Sequence, residues 1–211
     1  MRIIGITGGV GSGKSAILDR IKEIYNCKVI SADRVAHLVK ELGTPCYEQL
    51  IDLLGQRVLD TDNRINKAKM AEIIFADAEL LEQTNRIIHP AVKDFIEAEI
   101  ASEKEKNQID LLFIEAALLI EDGYGKIVDE LWYIYADEEV RLKRLKESRG
   151  YSDEKIRQII KSQLSDHEFR EKCHFTIDNS HDLETAIQQI PLLGGVPRSG
   201  GVVNPPIAHK E

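Results

Sequence analysis

The sequence predicts an α/β fold, a parallel sheet covered by helices on both faces. Three observations predict it. An apolar, β-branched run from Arg2 to Thr7 ends in a glycine cluster and is followed by Ile17, Ile21 and Ile24 at helical spacing. Leu111 to Ile114 and Leu131 to Tyr135 are continuous apolar runs, as strands buried on both faces require. Strand signals alternate with helix signals through most of the chain, which favours parallel pairing and places ligand sites at the carboxyl ends of the strands.

Taken in order, the first strand is Arg2 to Thr7 and the first helix Lys14 to Ile24. Lys28 to Ser31 repeats the strand signal and Asp33 to Leu42 the helix signal. Thr44-Pro45 then reads as an N-cap followed by proline at the first helical position. From Thr44 to Glu105 the pattern is helical, with Arg57 to Leu59 the one candidate strand. Leu80, Leu81, Thr84, Ile87 and Ile88 share a face; His89-Pro90 is expected to interrupt that helix, and Val92, Phe95 and Ile96 to resume it. Beyond the two central strands, Asp137 is expected to cap a helix reaching about Glu147. Ser152 opens a second helix, and Ser165 with Glu168 has the spacing of a capping box for a third. Phe175 to Ile177 is a last short strand. The final 21 residues hold four of the six prolines and four of the fourteen glycines, so Pro191 to Glu211 is expected to be a mostly disordered tail.

At 211 residues the chain is long enough for a sizeable core, and 43% hydrophobic with 30% charged residues belongs to a globular protein. A formal charge of −8 argues against nucleic acid or an anionic membrane as partner. Without a spanning apolar segment or a signal-peptide pattern, a cytoplasmic protein is expected, as a monomer or small homo-oligomer. Cys27, Cys46 and Cys173 are too few and too scattered for a disulfide framework or a zinc site, and are expected to be reduced packing residues.

Gly8-Gly9-Val10-Gly11-Ser12-Gly13-Lys14-Ser15 fits G-x-x-x-x-G-K-[ST], and it lies between a strand and a helix, where its mechanism needs it. Glycines let successive backbone N–H groups converge on phosphate oxygens, and the helix N-terminus adds positive potential. Lys14 is the cation for the β and γ phosphates, and Ser15 the hydroxyl ligand for Mg²⁺. A guanine-nucleotide switch would need Asn-Lys-x-Asp, whereas the single Asn-Lys here continues as Asn66-Lys67-Ala68-Lys69. The length suits a small-molecule kinase, which needs an acceptor site, a group to orient the acceptor hydroxyl and a basic lid that excludes water.

Two readings fit Asp33: a general base beyond the second strand, or the cap of the next helix. Two likewise fit Glu115: an acid near Mg²⁺ through water, or a strand-end salt bridge. His89 is either a substrate contact or a structural residue. Residues 137 to 172 carry ten Lys or Arg with nine acids, and Arg141, Lys143, Arg144, Lys146 and Arg149 supply the charge a lid requires.

Over about residues 2 to 180 the chain resembles the dephospho-coenzyme A kinase family. The resemblance is carried by the run Gly5 to Ser15, Ser31-Ala32-Asp33 with Ala36-His37, Ile88-His89-Pro90, Glu115 to Glu121, Leu142-Lys143-Arg144 and Ile177-Asp178-Asn179. It implies a P-loop NTPase fold with a five-stranded parallel sheet, a helical substrate domain and a helical lid. The core is expected at about 1–43, 107–136 and 174–190, the substrate domain at about 44–106 and the lid at about 137–173. The activity implied is ATP- and Mg²⁺-dependent phosphorylation of the ribose 3′-hydroxyl of dephospho-coenzyme A. Nucleotide contacts would come from Gly9, Val10, Gly11, Ser12, Gly13, Lys14, Ser15, Ala16, Arg144, Asp178 and Asn179, and acceptor contacts from Asp33, His89, Pro90 and Leu118. Asp33, Lys14 and Arg144 would carry the chemistry. The chain departs from the family pattern in four places. Ser31 stands where an acid is usual, Ala117 where proline is common, Lys67 for an arginine and Ala16 for a threonine. The rival readings are a kinase for another nucleotide or metabolite, and a non-catalytic ATP-binding regulator.

Overall fold

A computed structural model describes residues 1–190; the expected disordered tail from Pro191 lies outside the described residues. They form two compact units, Met1–Val29 with the residues from Asn107 on, and Ile30–Lys106.

The first unit is built on parallel strands. β1 (Arg2–Thr7) is central; β3 (Leu111–Glu115) and β4 (Glu130–Tyr135) flank it, β5 (Phe175–Asp178) lies beyond β4, and β2 (Cys27–Ser31) beyond β3. The register pairs Ile6 with Glu115 and with Trp132, and Tyr135 with Asp178. All five expected strands are present, two of them one residue longer at the carboxyl end, which brings Glu115 and Asp178 into the sheet.

Period-2 alternation sorts the strand side chains. Ile4, Ile6, Phe113, Trp132 and Ile134 face one way and are fully buried against Ile17, Leu18 and Ile21 of α1 (Lys14–Ile24), with Ala186 of α9 (Leu183–Gln188) in the same cluster. The Trp132 ring meets Phe113 and Phe175 at centroid distances of 5.9 Å each, in tilted or edge geometry. Elsewhere on β4 the ring of Tyr133 stacks on Phe169 of α8 (Asp166–Lys172) at 4.6 Å. α6 (Glu138–Arg149) and α7 (Asp153–Lys161) complete the basic helical segment.

Ser152 accepts the Lys155 N–H, and Ser165 and Glu168 form the full capping box, as their spacing requires. Asp137 does not cap. It occupies the N-cap position of α6, but its carboxylate accepts the Tyr135 hydroxyl at 2.6 Å, a charge-assisted bond that pushes the phenol up to about 12.

The second unit holds α2 (Ala32–Leu38), α3 (Pro45–Leu54), α4 (Lys67–Phe75) and α5 (Ala78–Lys106). α2 stops four residues before the expected Leu42, because the chain tightens into i→i+3 turns and reverses at Gly43, whose φ is 87°. The expected strand at Arg57 to Leu59 is instead a 3-10 turn, Gln56–Val58, followed by one isolated antiparallel bridge between Leu59 and Ile65. The expected break at His89-Pro90 is absent. α5 runs through Pro90 for 29 residues, its buried side chains Thr84, Val92, Ile96 and Ile100 on the side packed against α2, α3 and α4. Interior proline costs about 3 kcal/mol, and the burial of three branched side chains at roughly 1.5–3 kcal/mol each outweighs it.

Thr44 is a cap twice bonded: its hydroxyl accepts the Tyr47 N–H at 3.1 Å and donates to the Val39 carbonyl. Thr44→Ala is expected to cost about 1 kcal/mol, within the usual ~0.5–2 range. Urea denaturation should show a lower midpoint at unchanged slope; an unmoved midpoint would show that the cap contributes nothing.

Candidate active site

The glycine-rich loop leaves the carboxyl end of β1 and enters α1. Gly13 occupies the N-cap position in the left-handed region, φ 87°, with the Asn179 amide where a Cβ would otherwise stand. Lys14 follows as the first helical residue, and its ammonium donates to the Gly8 carbonyl at 2.6 Å. Ser15 and Ala16 are exposed in the first helical turn. The buried hydroxyls of Thr7 and Ser12 have no hydrogen-bond partner among the described residues. Such groups are costly unless paired, so the loop suits a polar guest.

Residues far along the chain brace this loop. The Asn179 side-chain amide donates to the Ser12 carbonyl at 2.7 Å. Arg144 of α6 donates to that same carbonyl at 3.3 Å and to the Asn179 carbonyl at 2.9 Å. One turn earlier, Arg141 donates through Nε to the Val10 carbonyl at 2.9 Å and through Nη2 to Gln163 Oε1 at 2.7 Å, its guanidinium lying over Gly9. Gln163 Oε1 also accepts the Val10 N–H at 3.1 Å. Burial lowers the Arg141 pKa by disfavouring its charged form, so an anion is the natural further partner.

Of Asp178 and Asn179, both expected to contact nucleotide, only Asn179 reaches the loop. Asp178 accepts the Ser180 N–H at 2.8 Å, and its backbone is tied to Gln189. Glu115 is half-buried at the end of β3, beside Ile6, and Leu118 lies in the turn beyond it, 50% exposed. Among the described residues no group of three or more His, Cys, Asp or Glu forms a metal cluster. Ser15 and Glu115 offer a hydroxyl and a carboxylate, hard donors of the kind Mg²⁺ takes when phosphates and water complete its shell.

The other expected site residues belong to the second unit. Asp33 is exposed in the first turn of α2, two residues past β2. It is not the cap: Ser31 holds the N-cap position, without a side-chain bond. His89 and Pro90 are exposed midway along α5.

The pairing of Arg141 with Gln163 escaped the sequence reading. Arg141 was legible only as one charge of a basic helix, and a lone glutamine in a polar turn carries no motif. Their common partner, Val10, stands 131 and 153 residues away.

A glycine loop of this shape, set at the carboxyl end of a central parallel strand and opening a helix, defines a P-loop phosphate-binding protein. Comparison with known proteins narrows the class. The family model for dephospho-CoA kinase matches residues 2–185. A dephospho-CoA kinase of Carboxydothermus hydrogenoformans is 36% identical over 188 residues, 89% of this chain and 90% of that one. Another, of Dehalococcoides mccartyi, is 35% identical over 191 residues, covering 89% and 95%. Among solved structures, a Thermus thermophilus protein superposes with a TM-score of 0.72 at 27% identity, covering 88% of this chain and 92% of that one. A Campylobacter jejuni dephospho-CoA kinase shares the fold, with a TM-score of 0.68 at 23% identity and coverage of 90% and 94%. The chain belongs to the dephospho-CoA kinase family, transferases that catalyse the final step of coenzyme A biosynthesis.

Proposed function

We propose that the protein transfers the γ-phosphoryl group of ATP to the ribose 3′-hydroxyl of dephospho-coenzyme A. The observation that carries the nucleotide half is the P-loop with Lys14 at its helix start and two arginines of α6 against it. In this reading backbone N–H groups between Gly9 and Ser15, other than those of Val10 and Ser12, which bond Gln163 and the Gly9 carbonyl, act with the Lys14 ammonium on the β and γ phosphates, and Ala16 lies beside them. Arg144, supported by Asn179, faces the charge that develops on the transferring group. Ser15 and, through water, Glu115 would hold Mg²⁺, which neutralises phosphate charge when bound. Asp33 orients the acceptor hydroxyl and takes its proton as the new oxygen–phosphorus bond forms and the bond to the ADP oxygen breaks. His89, Pro90 and Leu118 contact the acceptor. The helices of residues 137–173 act as a lid that excludes water. Among the described residues no helix is long and apolar enough to cross a membrane, and the three free cysteines suit a reducing cytoplasm.

The direct experiment incubates the purified protein with ATP, Mg²⁺ and dephospho-coenzyme A and follows coenzyme A by mass. Product that requires both substrates is expected; ATP binding without acceptor-dependent turnover would sink the reading. Lys14→Ala is expected to lower kcat at least about a hundredfold, the scale of one preorganised charge donor. The circular dichroism spectrum should be unchanged, and turnover near wild type would remove the loop lysine from the mechanism.

A further inference from the structure

The tip of the phosphate loop is held by a closed ring of hydrogen bonds. Gln163, half-buried in the turn between α7 and α8, accepts the Val10 N–H at 3.1 Å and Arg141 Nη2 at 2.7 Å on one oxygen, while Arg141 Nε donates to the Val10 carbonyl at 2.9 Å. Both partners of Gln163 are donors, so the atom that meets them has to be the carboxamide oxygen. The ring presses the guanidinium onto Gly9, where an added Cβ would stand 2.3 Å from Nη2 and push Arg141 out of place. What the ring lacks is a negative charge. Arg2, Arg20, Arg157 and Arg170 of the same unit each meet a carboxylate, whereas Arg141 meets neutral oxygens alone among the described residues. The acid whose charge reaches it, Glu138, is bonded to Arg157 at 3.3 Å.

A carboxylate at this position would do the holding better, since charge-assisted hydrogen bonds are roughly twice as strong as neutral ones. It would also cancel the cation. We propose that Gln163 is a positioning residue for the nucleotide: its neutral carboxamide fastens Arg141 over the loop tip without neutralising it, and so keeps the guanidinium charge for the polyphosphate. The proposal rests on ATP being the ligand of the loop, and goes beyond that reading in giving the uncharged side chain of Gln163 a function. Gln163 touches no reacting atom. It acts through Arg141, whose attraction for phosphate is strongest where water is excluded.

Gln163→Glu separates charge from geometry. The new side chain has the same length and still offers an oxygen to Val10 and Arg141, so a mere strut would be kept or strengthened. Calorimetric titration with ATP and Mg²⁺ is expected to show affinity lowered about tenfold to a hundredfold, the range for losing a charged partner. The KM for ATP should rise in proportion while kcat changes little, and the melting temperature should equal or exceed that of wild type. Arg141→Gln, which removes the charge directly, should lose at least as much affinity. Because salt screens charges, the Kd for ATP should also climb less steeply with ionic strength in both variants than in wild type. Wild-type ATP affinity in Gln163→Glu, or parallel salt dependence in all three proteins, would make the pair a plain strut and overturn the proposal. A loss of affinity that comes with a clearly lower melting temperature would also overturn it, as the sign of a distorted loop. The two readings fail separately, since coenzyme A production tests the phosphoryl transfer and the titrations test Gln163. A wild type that binds no ATP removes both.

Discussion

Arg144→Ala is expected to lower kcat by about 10³ or more, because charge on a transferring phosphoryl group spreads over its equatorial oxygens and arginines facing it are worth roughly 10³ to 10⁵ in rate. The structure sharpens the test, since this guanidinium also bonds the Ser12 and Asn179 carbonyls. Removing it takes a brace from the loop as well as a charge from the reaction. The two roles separate in the kinetics: loss of a brace raises the KM for ATP, whereas loss of transition-state stabilisation lowers kcat and kcat/KM together. Arg144→Lys should not restore activity, because a single ammonium cannot span two carbonyls and still present a flat face to phosphate. A change confined to KM in Arg144→Ala would make Arg144 a bracing residue and end its catalytic assignment.

For Asp33→Asn the expectation is a stable protein that has lost its chemistry. Asp33 caps nothing, so its amide replacement forfeits only the attraction of a carboxylate to the N-terminus of a short helix, about 0.3–1 kcal/mol. The melting temperature should stay within about 4 °C of wild type, and ATP should still bind. As the group that accepts the ribose proton, however, the carboxylate has no substitute in an amide, and loss of a positioned base removes about 10² to 10⁴ in rate. Melting curves beside steady-state kinetics at saturating substrates decide the matter. Full turnover in a well-folded Asp33→Asn would leave Asp33 with neither of the roles its sequence position suggested.

What was legible in the sequence was whatever depends on neighbours in the chain. The strands were marked by unbroken apolar runs such as Leu111 to Ile114, and the helix starts by local chemistry such as Thr44-Pro45 and Ser165 with Glu168. The phosphate loop is eight consecutive residues whose spacing is its mechanism. Where local preference met tertiary packing it lost: Pro90 marks a break only until Val92, Ile96 and Ile100 are buried beside it. Asp137 looked like a cap because its competitor, the Tyr135 hydroxyl, is a strand residue whose direction is set by the sheet. Arg141 and Gln163 were hidden for the same reason.

The bracing of the loop also bears on the order in which the active site comes into being. Val10 and Ser12 leave the ribosome well ahead of their partners Arg141, Arg144, Gln163 and Asn179, which follow more than 130 residues later. Contacts of such separation are costly in chain entropy and form late. A nascent chain thus carries the phosphate-binding sequence through the synthesis of all the intervening residues without the supports that shape it. The loop therefore takes its braced shape only once the basic helices and β5 have been made and have packed against it.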